Sequence, residues 1–471
     1  MLTPQKLVET VEQERQSRNQ FTASNLGVAK KVVATESDSV VEFFAVVAWG
    51  RPHHVVQYAW PPGDAHKSVH YFGQFCLPLA EPGAARNEEF VLTVSSENNE
   101  RLVCVCAVIA APAPAPPSAL PKLLLGGELL LSRNSGHRRS LSTGDAQDGS
   151  VSAPGGPKCF VLVSKFPFVP VMLHVIRGLA EDERMRGLTP DAMQDVVARL
   201  TVPVPDIDET LLVRSSMRRE AAAMQWTRRA GPGHDEEAQL GRWNCGAALA
   251  LLCPGGDATL LLQALSAVMT ERQVLVVGSQ LEHVSAVSFL LLEVIRPFVY
   301  QAVFVAVLPP ALLEVLEAPV PFVVGLHSSA LAADLPLDAS AVVVHLDSAK
   351  VSTGGARLPR LPHEVELKKA LAAAHSAGQV PEKMMLYWDE QFGDFRKHCC
   401  RDLSNPEEPV TIFVDDAFIA EKAFSGGAEF FKSFFKTQMW SSYSDEKRTR
   451  FDLQRRNSLL SARMLQSVKK K

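Results

Sequence analysis

The chain lacks an excess of charge of either sign. Its 471 residues include 48 Lys and Arg against 52 Asp and Glu, which gives a net charge of −4. Dedicated nucleic-acid binders are normally strongly basic, because they neutralise a dense row of phosphates. The charge balance therefore excludes that class, and any basic surface must be local.

Cysteine is scarce and is not arranged in metal-binding or disulfide spacings. There are 8 cysteines and no CxxC pair, so the sequence indicates neither a disulfide framework nor a zinc ribbon. Residues 1–16 are charged and lack the apolar core of a signal peptide. These observations predict a protein of the reducing cytoplasm.

Long uninterrupted apolar runs are also missing. The most apolar stretch, residues 284–308, contains Glu293, Arg296 and Pro297, which argues against a membrane span. The stretch is typical of a buried helix that is followed by a buried strand.

The sequence contains none of the common catalytic motifs. It has no GxxxxGK[ST] phosphate loop, no GxGxxG after a strand, no HExxH and no GxSxG. The loose histidine cluster at 53, 54, 66 and 70 lacks thiolate partners and zinc-site spacing. Glu271 and Arg272 are interpreted as the end of an apolar helix rather than as an acid-base pair. We therefore expect no catalytic group, no metal site and no cofactor.

Composition divides the first third of the chain into three segments. Residues 1–39 are polar and predict a loose N-terminal arm, whereas residues 40–110 consist of β-rich pieces separated by turn formers. Residues 111–157 contain seven Pro, seven Gly, seven Ser and no aromatic residue. Such a composition buries too little apolar surface to order itself, so it predicts a flexible linker.

The central segment, residues 158–350, alternates between helices and short continuous apolar runs such as VLVVG and FVVGL, with a polar insert at about 214–242. Strands with continuous apolar runs are covered on both faces. The segment therefore predicts a three-layer α/β fold around a parallel sheet.

The last third is predicted to be mainly helical over residues 351–445. Within it, Phe431, Phe435, Met439 and Tyr443 repeat every four residues, which indicates a stripe that packs in a core. Residues 446–471 form a basic tail, with nine Lys and Arg against two acidic residues. Such a tail is either solvated or lies on an anionic membrane surface.

Architecture predicts where a partner binds. In open parallel sheets, ligands and partners occupy the crevice beyond the carboxyl ends of the strands. The candidate binding residues in those loops are Ser279, Gln280, Glu282, His327, Ser328 and Asp347. The alternative is that these loops are ordinary connections and that Ser279 caps the helix that follows it.

The α/β block resembles a known family. Residues 260–329, with the strand entry ERQVLVVG, the VLPP turn and the GLHSS end, closely resemble the central segment of the DENN domain. Upstream, YFGQFCLPLAEPG, EEFVLTVSSENNERLVCVCAVI and PKCFVLVSKFPFVPVMLHVI are similar to earlier parts of that module. Downstream, GAEFFKSFFKTQMW is similar to its final helices. The resemblance covers about residues 40–445.

The resemblance implies an α/β fold of two lobes: a longin-like upstream lobe, and a three-layer α/β central lobe with C-terminal helices appended. It also implies an exchange factor for a Rab-family small GTPase, which grips the switch regions of the GTPase between the two lobes and regulates membrane traffic. An exchange factor needs no covalent step, so no family catalytic residue is carried over. The resemblance further implies a cytoplasmic protein that is peripheral on vesicle or endosomal membranes.

Two other functions remain open at this point. Folliculin-like relatives of the DENN group activate GTP hydrolysis through an arginine of the longin lobe, and Arg51, Arg86 and Arg101 lie in the corresponding region here. The second is an adaptor that binds a GTPase or a membrane without accelerating any reaction.

Two serines are candidate phosphorylation sites. Ser142 follows Arg138 and Arg139, and Ser458 follows Arg455 and Arg456. Basic-directed kinases accept that pattern, and a phosphate would reverse the local basic charge. Short patterns of this kind also occur by chance.

Overall fold

The computed structural model describes residues 38–51, 54–61, 73–79, 81–95, 101–111, 151–152, 156–215, 223–229, 236–331, 335, 337–355, 357–402 and 410–469. Of residues 51, 151–152, 186, 236 and 456–469 it describes the backbone alone. The predicted arm up to residue 37, most of the predicted linker, Ser142 and the side chain of Ser458 therefore lie outside the described part, as do the histidines at 53, 66 and 70.

The first sheet is antiparallel and has five strands in the spatial order β3-β1-β7-β5-β4. The strands are β1 Phe43–Ala48, β3 Val55–Trp60, β4 Glu88–Ser95, β5 Arg101–Ile109 and β7 Lys158–Ser164. Two short strands beside it, β2 Gly50–Arg51 and β6 Val151–Ser152, pair with each other. The predicted antiparallel module is present, as its alternating turns and β-rich pieces indicated.

The central strand of this sheet comes from beyond the predicted linker. β7 pairs with β1 on one side and with β5 on the other, and nearly all of its side chains are buried. The predicted domain division at residue 157 therefore does not coincide with the division between the two sheets. A strand in the middle of either sheet would be a continuous apolar run. The sequence of β7 therefore does not indicate which of the two lobes it joins.

Two helices and a hairpin follow β7. Helix α1, Val169–Arg186, packs on β5 and β7 and ends at Gly187, whose φ of +70° suits glycine. Helix α2, Pro190–Ala198, begins with the Thr189 hydroxyl accepting the N–H of Ala192. Strands β8 Thr210–Arg214 and β9 Ala223–Thr227 form a hairpin. The hairpin and helix α3, Glu236–Gly241, fall partly inside the predicted polar insert at 214–242, so parts of that insert are ordered.

The second sheet has the spatial order β11-β12-β10-β13-β14. Its strands are β10 Gln273–Gly278, β11 Val303–Leu308, β12 Phe322–His327, β13 Val342–His345 and β14 Lys350–Thr353. The first four are parallel, and β14 pairs antiparallel at the edge. The predicted parallel sheet is confirmed for these four strands.

The two faces of the second sheet are covered differently. One face packs against α5 Thr259–Met269 and α6 Leu281–Glu293, and α4 Cys245–Leu252 packs on these two helices, within the apolar core that also fills the first lobe. The other face packs against the 3₁₀ helix Pro310–Glu317 and nearby loops, in a smaller separate core. The segment on this face is a 3₁₀ helix rather than a regular α-helix, and its backbone is interrupted by a kink at Leu312.

The C-terminal region is helical, as predicted. It contains α7 Glu364–Ala372, α8 Gln379–Phe392, α9 Asp415–Glu421, α10 Ala428–Phe434 and α11 Gln438–Lys469, together with the hairpin of β15 Cys399–Asp402 and β16 Val410–Phe413. Phe431, Met439 and Tyr443 are buried and Phe435 packs against them, so the predicted core stripe is confirmed. The basic tail begins inside α11, which continues to Lys469. Among the described residues, none of the helices combines the length and apolarity needed to cross a membrane.

Candidate functional site

The predicted binding loops meet at the carboxyl edge of the second sheet. Ser279 follows β10, and its N–H and its hydroxyl both donate to one carboxylate oxygen of Asp347, at 3.2 and 2.9 Å. His327, at the end of β12, lies 3.1 Å through its Nε2 from the Ser279 carbonyl oxygen. Three of the predicted residues, from three separate loops, are therefore joined by hydrogen bonds. Ser328 follows in the chain and is half-buried.

The connection of Ser279 to Asp347 decides an alternative that the sequence left open. Gln280 occupies the position before helix α6, and no side chain caps the first turn of that helix. The Ser279 hydroxyl donates to Asp347 instead. The interpretation of Ser279 as the cap of the following helix is therefore wrong, because a loop from a neighbouring strand offers the hydroxyl a carboxylate.

His327 is positioned for structure rather than for proton transfer. Its side chain is buried, and its Nδ1 lies 2.7 Å from the Ser329 hydroxyl. Burial lowers the pKa of His327, and the positive charge of Arg86 acts in the same direction, whereas the bond to the Ser279 carbonyl opposes both. The ring is therefore neutral near pH 7.

Serine, histidine and aspartate at one sheet edge do not form a hydrolytic triad here. In a triad, histidine takes the proton of the serine hydroxyl and aspartate orients the histidine. In this structure the hydroxyl of Ser279 donates to Asp347, and His327 contacts the backbone of Ser279 rather than its hydroxyl. The arrangement holds the loops in place and presents hydrogen-bonding groups.

The first turn of helix α6 brings the two lobes together. Glu282 accepts a hydrogen bond of 2.5 Å from the Asn244 amide, and its own N–H donates to a carboxylate oxygen of Glu88 at 3.2 Å. Glu88 begins strand β4 of the first sheet. Burial raises the pKa of Glu282, and the nearby charge of Glu89 raises it further. Carboxylates from both lobes thus converge at the positive end of a helix.

Glu88 is the more perturbed of these carboxylates. Burial raises its pKa to about 7, although the N–H groups of Glu282 and Leu281 and the charge of Arg86 oppose the shift. Its second carboxylate oxygen, Oε1, is buried and has no hydrogen-bond partner within the part of the chain that the structure describes. Glu88 therefore gains and loses a proton near neutral pH at the junction of the lobes.

The three candidate arginines have different surroundings. Arg86 is exposed, and its charge acts on both Glu88 of the first lobe and His327 of the second. Arg101 forms a two-pronged ion pair with Glu237. Arg51 lies in β2, and its side chain is not among the described ones. Of Arg86 and Arg101, whose side chains are both described, Arg86 lies beside the strand-end loops.

Sequence reasoning did not single out the residues that join the lobes. Ser285 in helix α6 donates its hydroxyl proton to the Val91 carbonyl oxygen and accepts the Val91 N–H at 3.3 Å. The available signal was a polar residue inside an otherwise apolar helix, LEHVSAVSFLLLE. Asn244, with φ of +47°, and Glu88 carried no comparable signal.

Comparison with known proteins assigns the central part of the chain. Residues 156–349 match the model of the DENN (AEX-3) domain family. Mouse DENN domain-containing protein 1A is 24% identical over 298 residues, which cover 62% of this chain and 27% of the mouse protein. Human DENN domain-containing protein 2A is 23% identical over 340 residues, which cover 63% of this chain and 31% of the human protein.

The match to DENN domain-containing protein 2B of mouse is shorter, at 26% identity over 212 residues and 40% of this chain. In all three comparisons the matched part spans a third or less of the relative's own length. The family match begins two residues before β7 and ends one residue before β14, the antiparallel edge strand of the second sheet. It therefore contains the whole parallel sheet, its strand-end loops and helix α6, and residues 156–349 of this chain match the DENN domain.

Proposed function

We propose that this protein is a guanine-nucleotide exchange factor for a Rab-type small GTPase. The proposal rests on the DENN domain and on one observation: exposed Arg86 of the first lobe lies beside the strand-end loops of the second. We call this surface the interlobe edge and define it by Arg86, Ser279, Gln280, Glu282, His327, Ser328 and Asp347. In the proposal, the GTPase switch regions bind there.

The interlobe edge suits a partner recognised by hydrogen bonds and charge. It offers the Arg86 guanidinium and the carboxylates of Glu282 and Asp347, and the hydrogen bonds among Ser279, His327 and Asp347 hold the strand-end loops. Held loops lose less entropy on binding than mobile ones do. Opposite charges side by side also favour a partner with a matching pattern over partners without it.

Exchange follows from binding alone. A factor that binds the nucleotide-free GTPase more tightly than the loaded form must, by reciprocity, weaken the hold of the GTPase on GDP. No proton transfer or covalent bond is required. The neutral, hydrogen-bonded His327 and the Ser279 hydroxyl that is directed to Asp347 are compatible with such a role.

The test is the release of a fluorescent GDP analogue from a panel of purified Rab GTPases, with and without the full chain at catalytic concentration. The proposal expects faster release from one or two Rabs. A folded protein that accelerates release from none of them contradicts it.

Matched aspartates locate the activity on the protein. Asp347→Ala at the carboxyl edge is expected to slow exchange about 10-fold, the effect of losing roughly 1.4 kcal/mol of binding. Asp338→Ala is the control, because Asp338 is also exposed and accepts a serine N–H, but it precedes β13 at the opposite edge of the sheet. Equal effects of the two substitutions contradict the assigned surface.

Arg86 supports a second candidate function, the activation of GTP hydrolysis. An exposed arginine at a GTPase-binding surface can stabilise charge that develops during phosphoryl transfer. In that case the full chain accelerates GTP hydrolysis rather than GDP release, and Arg86→Ala abolishes the effect. A protein that binds a Rab in both nucleotide states without changing either rate acts instead as an adaptor.

We place this activity in membrane traffic, in the cytoplasm and at the surface of vesicle or endosomal membranes. The basic tail, residues 446–471, is the candidate contact, since each basic residue near an anionic surface contributes about 1 kcal/mol. Sedimentation of the full chain with liposomes tests the contact. Binding that does not depend on acidic lipid removes it.

A further inference from the structure

Three cysteines from separate parts of the first lobe meet in its core. Cys76 lies in the helical turn at residues 73–76, Cys106 lies in β5 and Cys159 lies in β7. Their sulfur atoms all lie within 4.8 Å of one another, and each of the three residues is 0% exposed. The function proposed above makes no use of this cluster.

The register of the sheet explains why the sulfurs converge. Cys159 lies directly opposite Val108 on the neighbouring strand, and Cys106 is two residues before Val108. Because side chains alternate between the faces of a sheet, Cys106 and Cys159 project from the same face. The turn that carries Cys76 packs over that face, where Gly73 approaches Val47, the partner of Cys159 on β1.

The three thiols interact with one another electrostatically as well as by packing. The Cys159 thiol donates to the Phe160 carbonyl oxygen at 3.4 Å. A buried cysteine usually behaves as a small apolar residue with a weak S–H donor. Here side-chain interactions with Cys106 and Cys159 lower the pKa of the Cys76 thiol, whereas burial raises the pKa values of Cys106 and Cys159.

We propose that Cys76, Cys106 and Cys159 form a binding site for a single thiophilic metal ion of the Zn²⁺ or Cu⁺ class. Thiolate ligands select soft ions of this kind. For a tetrahedral Zn²⁺ with Zn–S bonds of about 2.3 Å, the sulfurs lie roughly 3.8 Å apart. The observed separations are within reach of that value through small side-chain rotations.

The set of ligands differs from that of a common zinc finger. The group formed by the described residues contains three sulfurs and no nitrogen or carboxylate oxygen. His54 is nearby, but its Nδ1 accepts the Gly50 N–H and its Nε2 lies 3.1 Å from the Leu77 carbonyl oxygen. Binding requires loss of the thiol protons, so uptake of the ion releases protons and strengthens as the pH rises.

The test is metal uptake by the full chain. The protein is reduced, stripped with a chelator and titrated under anaerobic conditions with Zn²⁺ or with Cu⁺ in separate arms. The readouts are metal content by elemental analysis, the thiolate-to-metal charge-transfer absorption, and the shift in thermal midpoint. We expect about one ion per chain and a higher midpoint with the preferred ion.

Neighbouring cysteines provide the control. Cys106→Ala and Cys159→Ala are expected to weaken binding at least about 10-fold, since the loss of a ligand costs no less than the loss of a supporting residue. Cys104→Ala is expected to bind as the unmodified chain does, because Cys104 is equally buried on β5 but lies outside the group of three. Cys76→Ser, in the turn rather than in the sheet, keeps the test informative if a strand variant unfolds.

Three outcomes overturn the proposal. The first is a folded, reduced protein that takes up neither ion and whose midpoint does not move. The second is equal loss of binding in Cys104→Ala and Cys106→Ala. The third is an intact mass that shows two of the three cysteines joined as a disulfide in the purified protein before reduction, which assigns the cluster to thiol oxidation.

Discussion

The hydroxyl of Ser285 forms hydrogen bonds with both the N–H and the carbonyl oxygen of Val91, a residue 194 positions earlier in the chain. It donates to the Val91 carbonyl oxygen and accepts the Val91 N–H. Val91 lies in β4, the strand at the edge of the first sheet, and Ser285 lies in helix α6 beside the second sheet. One side chain thus provides hydrogen-bond partners for backbone groups at the edge of the first sheet and joins the two lobes.

Removal of this hydroxyl is expected to weaken the junction of the lobes. Ser285→Ala leaves the N–H and the carbonyl of Val91 buried without a partner, which costs about 1–3 kcal/mol. Urea unfolding at equilibrium measures the change. Ser288→Ala is the matched control, because Ser288 is also buried in α6 but donates to Val284 within its own helix. A cost for Ser288→Ala as large as that for Ser285→Ala contradicts the assigned role.

Glu88 is expected to make stability depend on pH. Its pKa is about 7 in the folded protein, against a usual value of 4.5. A raised pKa means that the neutral form stabilises the fold, so this contribution is complete below pH 4.5 and is lost as the pH rises through 7. A shift of this size corresponds to at most roughly 3 kcal/mol.

The measurement compares the free energy of unfolding of the unmodified chain with that of Glu88→Gln between pH 4 and pH 8. Because glutamine stays neutral, the difference between the two proteins is expected to grow above pH 5 in favour of Glu88→Gln. Glu89→Gln serves as the control, since Glu89 forms an ion pair with Arg177 of α1. A difference that does not vary with pH would falsify the role given to Glu88.

Arg86 is expected to act on the GTPase and not on the fold. Arg86→Ala should slow GDP release about 10-fold, if the guanidinium contributes roughly 1.4 kcal/mol to binding. Its thermal midpoint should match that of the unmodified chain, because Arg86 is exposed. Arg401→Ala, at an exposed position in the C-terminal hairpin, is the control for loss of a positive charge. Normal exchange by Arg86→Ala removes this residue from the binding surface.

Glu271 is expected to stabilise the start of helix α11. Its carboxylate accepts the N–H groups of Gln438 and Met439 at 2.9 and 2.8 Å, and a carboxylate at a helix N-terminus also interacts favourably with the helix dipole. Glu271→Ala is expected to cost about 1–2 kcal/mol in urea unfolding. Glu271→Gln, which keeps one acceptor oxygen, should cost less. Equal costs for the two substitutions contradict capping by the carboxylate.

The same residue shows how far sequence reasoning reached. The sequence predicts that Glu271 ends an apolar helix, and it lies two residues after the last residue of α5, Met269. The backbone turns there with φ of +48°, which directs the chain into β10. The Glu271 carboxylate caps a helix that begins 167 residues further along the chain. The residues around Glu271 give no indication of this contact.

The local elements, the parallel central sheet, the aromatic core stripe and the resemblance to the DENN domain could all be predicted from the amino-acid sequence. The spacing of apolar residues along a segment indicates which of its faces is buried, because those apolar side chains are the ones that form the core. The meeting of Ser279, His327 and Asp347 could also be anticipated, because the carboxyl ends of parallel strands share one edge.

Three relationships became visible only in the folded chain: β7 joins the first sheet, Ser285 hydrogen-bonds Val91, and the sulfur atoms of Cys76, Cys106 and Cys159 converge. Each of these relationships joins residues that are far apart in the chain, and neither residue alone carries a signal for the other. Local periodicity fixes which face of an element is buried, but packing and strand register fix what that face meets.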